Sequence, residues 1–92
     1  MLPIQNLEAL PQVSGIYRVL DAEGNVIYIG QAQNIYDRWN DGHQKLGKII
    51  AEHGLAAWID WAVIPEWLLN RAENAAVTFY QPKFNSKTPP VV

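Results

Sequence analysis

The chain has no cysteine among its 92 residues. That excludes a disulfide framework, a thiolate nucleophile and a zinc-thiolate site. Long apolar runs are missing too: the longest candidate, Trp58 to Ile64, is interrupted by Asp60 and stopped by Pro65, far short of the roughly 18 to 20 residues a membrane helix needs. Met1 to Leu10 lacks the basic stretch and small-residue cleavage site of a secretory signal, so a cytoplasmic location and no membrane partner are expected. Basic charge is scarce. Seven Lys and Arg against nine Asp and Glu leave a net charge of −2. Nucleic-acid binding draws much of its affinity from neutralised phosphates, so tight DNA binding by this domain alone is not expected. Only the stretch after Glu73, with Lys83, Lys87 and no acid, is locally basic, and it reads as a solvated tail. No repeat or low-complexity linker occurs, and only Thr88 to Val92, with its Pro89-Pro90 pair, reads as a frayed end.

What is present is ample material for one core. The hydrophobic fraction is 49%, including four Trp, four Tyr and two Phe, far from the composition of disordered chains. Residues 1–92 should therefore fold as a single domain burying roughly 60% of the unfolded surface. Leu7 to Pro11 suggests a short cap. Gly15 to Leu20 and Asn25 to Gly30 are β-branched and aromatic runs around the turn-forming Asp21-Ala22-Glu23-Gly24, the signature of a hairpin. A four-residue loop pairs Leu20 with Asn25 and sets Tyr17 opposite Tyr28 on one face; a five-residue loop would place the two tyrosines on opposite faces. Asn34 is the expected N-cap of a helix over Ile35 to Asn40, ended near Gly42. A second helix is expected over about Gln44 to Glu52, a strand over Leu55 to Ile64, and a last helix from Glu66 to Tyr80. Its apolar stripe is read as Leu68, Leu69, Ala72, Ala76 and Phe79, with Pro65 suited to its first turn and Pro82 its stop. The predicted order is ββααβα, an α+β fold.

Five positions then acquire a joint meaning. Gly15-Ile16-Tyr17 and Tyr28-Ile29-Gly30 are separated by ten residues, Arg38 lies eight residues beyond Gly30, Glu73 is on the last helix, and Asn85 follows in a Pro-x-Phe-Asn segment. Either triplet alone is an ordinary strand fragment. Together, from about Pro11 to Asn85, the chain resembles the GIY-YIG nuclease family. The resemblance implies a three-stranded antiparallel sheet flanked by helices. It also implies hydrolysis of DNA phosphodiester bonds with a single divalent metal and no covalent intermediate. Repair-type members often carry lysine where this chain has Gln31. Many members place His or Tyr four residues after the arginine, where this chain has Gly42 and then His43. Members usually obtain specificity from appended DNA-binding domains, so a separate DNA-binding or targeting protein is an expected partner beside DNA.

The chemistry of the residues supports part of this independently. Glu73 offers the hard oxygen that Mg²⁺ or Mn²⁺ takes while keeping most of its waters. Arg38 presents a planar fork matched to phosphate. Attack by water requires a proton acceptor, and a phenol with an ordinary pKa of about 10 serves only if positive charge stabilises its phenolate. Tyr17 is read as the base or water-orienting group and Tyr28 as the phosphate or water contact, with the roles exchangeable. His43 is a candidate assisting base, Gly30 and Gln31 flank the site, and Asn85 supports it. The plainer readings stand beside these. The tyrosines would be half-buried strand aromatics, Arg38 the solvated partner of Asp37 or Asp41, Glu73 a solvated helix residue, and His43 and Asn85 turn residues. Two rival functions follow: a catalytically weak binding module on the same fold, or a plain interaction domain with a surface patch of Trp39, Trp58, Trp61 or Trp67.

Overall fold

The computed structural model describes residues 1–85. Strands β1 (Leu2–Pro3), β2 (Gly15–Leu20), β3 (Val26–Ala32) and β4 (Trp58–Val63) and helices α1 (Ile35–Asn40), α2 (Leu46–His53) and α3 (Leu69–Tyr80) build the fold, with short 3₁₀ turns at Ile4–Ala9, Gly54–Ala56 and Glu66–Leu68. The sheet is antiparallel throughout and has four strands in the order β1-β4-β2-β3, not three. The added strand pairs Leu2 with Ile59 and Pro3 with Trp58. Two residues carry no readable alternation, and proline is tolerated there because β1 is an edge. After β1, the order of the larger elements is the expected one. The frayed end expected at Thr88 to Val92, and Lys87 with it, lies outside the described residues.

The hairpin departs from the expected register, yet the shared face survives. Leu20 pairs with Val26 rather than Asn25, leaving the five residues between them as the loop. Asp21 Oδ1 accepts from the backbone N–H of both Glu23 and Asn25, and Gly24 takes a φ of 87°, a conformation glycine adopts without steric cost. A bulge between Val19 and Leu20 then shifts the pairing by one, so that Val19 faces Tyr28 and Tyr17 faces Gly30. The bulge restores the parity that a five-residue loop would otherwise have reversed. Tyr17 and Tyr28 end two positions out of line on one face, ring centroids 6.2 Å apart.

That face packs on the first two helices. Tyr17, Val19, Tyr28 and Ile59 meet Ile35 and Trp39 of α1 and Ile49 of α2, all buried. Asn34 caps α1 as expected, its side chain accepting from Asp37 N. The opposite face carries α3 over β3. Helix α3 begins only after the 3₁₀ turn at Glu66–Leu68, whose tighter winding rotates the helix face. Val77 is consequently buried while Phe79, expected in the apolar stripe, is 78% exposed. Leu69, Glu73 and Val77, spaced at i, i+4 and i+8, share the face turned to the sheet. Beside them Arg18 of β2 forms a bidentate pair with Asp60 of β4, with Nε to Oδ1 at 2.8 Å.

Candidate active site

The two tyrosines are the centre of a buried polar column. His43, only 4% exposed, stacks on the Trp39 indole with ring centroids 4.0 Å apart and 13° between planes. Its Nδ1 lies 3.0 Å from the Lys45 backbone N–H, which can only donate. Nδ1 is therefore the unprotonated nitrogen, and Nε2–H donates to Tyr17 Oη at 2.9 Å. The Tyr17 oxygen thus accepts from His43, and hydrogen bonding to Tyr17 works to lower the Tyr28 pKa. Burial, joined by the facing Tyr28, nevertheless pushes the Tyr17 phenol above its ordinary value, and burial raises Tyr28 as well. The Arg38 guanidinium opposes both shifts. His43 is pushed down to about 4 by burial, with Arg38 and Lys45 adding to the effect, so it is neutral at pH 7.

Glu73 reaches the column from the other layer. Alone among the charged residues of α3 it falls in the sheet-facing stripe, half-buried, and desolvation raises its pKa against the lowering effects of Gln31 and Arg38. Gln31, at the end of β3, donates from Nε2 to Asn70 Oδ1 at 2.5 Å and lies 3.4 Å from Glu73 Oε2. The neutral amide thus holds the carboxylate without neutralising it. Arg38 is exposed and pairs with neither Asp37 nor Asp41 among the described residues, whose ion pairs are Arg18–Asp60 and Lys83–Glu52. Its charge acts instead on Tyr17, Tyr28, His43 and Glu73.

Two further positions fix the backbone. Asn85 brackets Ile29 in the outer edge of β3, Oδ1 accepting from Ile29 N at 2.9 Å and Nδ2 donating to Ile29 O at 2.8 Å. It acts as a one-residue strand between Tyr28 and Gly30. Gly30 admits the Tyr17 ring: a Cβ there would stand 2.4 Å from Tyr17 Oη. All the residues singled out by the sequence, Tyr17, Tyr28, Gly30, Gln31, Arg38, His43, Glu73 and Asn85, therefore gather around one end of β3. Trp39 and Asn70 also belong there and were missed. Trp39 enters the sequence reading only as one of four tryptophans in the rival surface patch, whereas it is 1% exposed; its buried Nε1 has no hydrogen-bond partner, so its stacking plane is what meets His43. Asn70 carries no signal beyond standing three residues before Glu73.

Among the described residues no three of His, Cys, Asp and Glu cluster as a cation cage, and both nitrogens of His43 are engaged. The donor set is one partly desolvated carboxylate with amide and phenol oxygens near it. This fits a hydrated divalent ion that takes a single protein carboxylate, as Mg²⁺ does, and does not fit a zinc site.

The GIY-YIG catalytic domain family matches residues 13–79. UvrABC system protein C of Salinispora tropica is 31% identical over 83 residues, 83% of this chain but 12% of that protein. The Salinibacter ruber protein of the same name is 33% identical over 89 residues, 89% of this chain and 14% of that one. The chain thus spans about an eighth of these curated relatives. The N-terminal GIY-YIG endonuclease domain of UvrC from Thermotoga maritima, with its catalytic magnesium, superposes with a TM-score of 0.73 at 24% identity, covering 88% of this chain and 92% of that one. A point mutant of it gives 0.74 at 23%, covering 90% and 93%. These likenesses show the fold. With a family match running from Val13 to Phe79, the chain belongs to the GIY-YIG catalytic domain family.

Proposed function

We propose that the chain is a divalent-metal-dependent DNA endonuclease domain, with residues 1–92 as one unit, acting in the cytoplasm together with a separate DNA-binding or targeting protein. The observation that carries this reading is the meeting of Arg38, Tyr17, Tyr28 and Glu73 from three different layers at one end of β3. No helix among the described residues is long and apolar enough to cross a membrane. The names of the relatives, UvrABC system protein C and a catalytic-cation-bound endonuclease domain, support the same chemistry.

Glu73 would hold the cation, one Mg²⁺ or Mn²⁺, which supplies Lewis-acid stabilisation of the phosphate and leaving oxygen. Arg38, which forms no ion pair among the described residues and hydrogen-bonds the Tyr17 phenol, would place its fork on the non-bridging oxygens, where charge grows during in-line attack. Of the two phenols, Tyr17 is the more enclosed, 1% exposed against 8% for Tyr28, and its oxygen accepts from His43. Tyr28 therefore takes the outward task, orienting the attacking water and accepting its proton once cationic charge offsets the burial penalty. Tyr17 passes its hydrogen bond toward Tyr28, and His43 fixes that direction by its tautomer. His43 is in this reading a positioning residue, Gly30 and Asn85 hold the strand, and Gln31 orients Glu73.

The test is nicking of supercoiled plasmid with Mg²⁺ or Mn²⁺, alongside thermal melting with and without Mg²⁺ at pH 7. Wild type is expected to nick only with metal and to melt higher in its presence. Glu73→Ala should lose both effects, and Arg38→Ala the nicking alone. Metal-independent nicking, or full activity in both variants, would sink the reading.

A further inference from the structure

Beside the catalytic cluster a groove of about 540 Å³ opens between the end of β3 and the start of α3, lined by Gln31, Gln33, Glu66, Trp67, Asn70 and Arg71. Its volume is in the range of sites for small organic ligands, roughly 300–1,000 Å³. Trp67 is 80% exposed, and Arg71 is exposed one turn further on. Neither side chain makes a hydrogen bond, ion pair or ring contact among the described residues. A large indole left in water beside an unpaired guanidinium is the pairing that single-stranded nucleic acid uses, the base on the ring and the backbone on the cation. The groove borders the catalytic cluster on two sides. Gln31 contacts Glu73, and a second recess, of about 410 Å³, shares Ala32 and Gln33 with the groove and runs to Arg38.

We infer that this groove receives the nucleotide next to the scissile phosphate, with its base stacked on Trp67 and its far phosphate against Arg71. The inference rests on the endonuclease reading and adds what that reading leaves open, the form of the DNA. A base lying on Trp67 is out of its own helical stack, and extruding it costs least where it is unpaired. The preferred substrate is accordingly single-stranded or locally unpaired at the cleavage point. Glu66 lines the same groove and offsets Arg71, so stacking rather than net charge carries the affinity.

Two measurements on the full chain decide this. The first follows the four indole N–H resonances while tetrathymidylate is added without metal. The Trp67 resonance is expected to move most, and Trp67→Ala is expected to weaken binding about 5- to 150-fold, the range for loss of one base stack. Trp67→Phe should stay within a few-fold of wild type. The second compares Mg²⁺-dependent hydrolysis of a single-stranded oligonucleotide with that of bis(p-nitrophenyl) phosphate, a diester with no nucleobase and no second phosphate to place against Arg71. Trp67→Ala should raise KM for the oligonucleotide and leave the small diester unchanged. A Trp67 resonance unmoved at millimolar tetrathymidylate, or equal binding by wild type and Trp67→Ala, overturns the inference and leaves the indole to a protein partner. If wild type hydrolyses neither diester, the endonuclease reading fails, while the metal-free titration still decides whether the groove holds a nucleotide.

Discussion

At the scale of single residues, Gly30 and His43 set the orientation of Tyr17 from opposite sides. A Cβ at position 30 would stand 2.4 Å from Tyr17 Oη and 2.5 Å from Cζ, and the ring cannot retreat because Trp39 and His43 enclose it. Gly30→Ala should cost about 1–3 kcal/mol, the usual price of overpacking a filled site, read as a lower urea midpoint, and should slow nicking at least tenfold. A variant as stable and active as wild type would mean that Tyr17 has room to move. His43 gives a pH signature. Its folded pKa of about 4 lies below the ordinary 6.5, so the unfolded chain binds the proton first. The stabilisation is complete above pH 6.5 and is lost as pH falls toward 4, by up to about 3 kcal/mol. His43→Gln should flatten that part of the stability profile relative to wild type; parallel profiles would contradict the buried neutral imidazole.

At the scale of elements, the C-terminal segment completes β3. Phe84 N donates to Ile27 O at 3.0 Å and the Asn85 amide satisfies both backbone groups of Ile29, so the edge beside Tyr28 is paired without a strand. Asn85→Ala removes both bonds, for an expected loss of about 1–3 kcal/mol, with faster hydrogen exchange at the Ile29 amide as the specific readout. Unchanged exchange there would reduce Asn85 to a turn residue. The sequence placed Asn85 beside the site but could not show this pairing, because a side-chain amide mimicking a strand has no periodicity. The same limit runs through the fold. The triplets, the Asn34 cap and the helix of Ile35 to Asn40 were legible, since each is local in origin. The bulge at Val19/Leu20, the pairing of Leu2–Pro3 and the rotation that buries Val77 and exposes Phe79 are decided by partners distant in the chain. For the candidate site, residue types and spacing singled out Arg38 and Glu73, whereas Trp39 under His43 and Asn70 under Gln31 are visible only in three dimensions.

At the scale of the whole molecule, charge limits what the domain does by itself. The net charge is −2. The exposed cations lining the two recesses are Arg38 and Arg71, in the company of Glu66, Asp37 and Asp41. Each phosphate neutralised contributes about −0.9 to the slope of log K against log salt for duplex DNA and about −0.7 for single strands. Two contacts then predict a slope between about −1 and −2, shallow for a DNA enzyme, and correspondingly weak binding at physiological salt. The curated relatives, of which this chain spans 12% and 14%, have ample further length for other contacts. Fusing a basic, sequence-independent DNA-binding module to the chain should therefore lower KM for DNA at least tenfold and steepen the salt slope. Turnover of bis(p-nitrophenyl) phosphate should stay unchanged, because the reaction proposed at Glu73 and Arg38 draws nothing from the added charge. A slope steeper than about −4 for the unfused chain would require a phosphate track elsewhere on its surface, and the assignment of substrate to the end of β3 would have to be moved there.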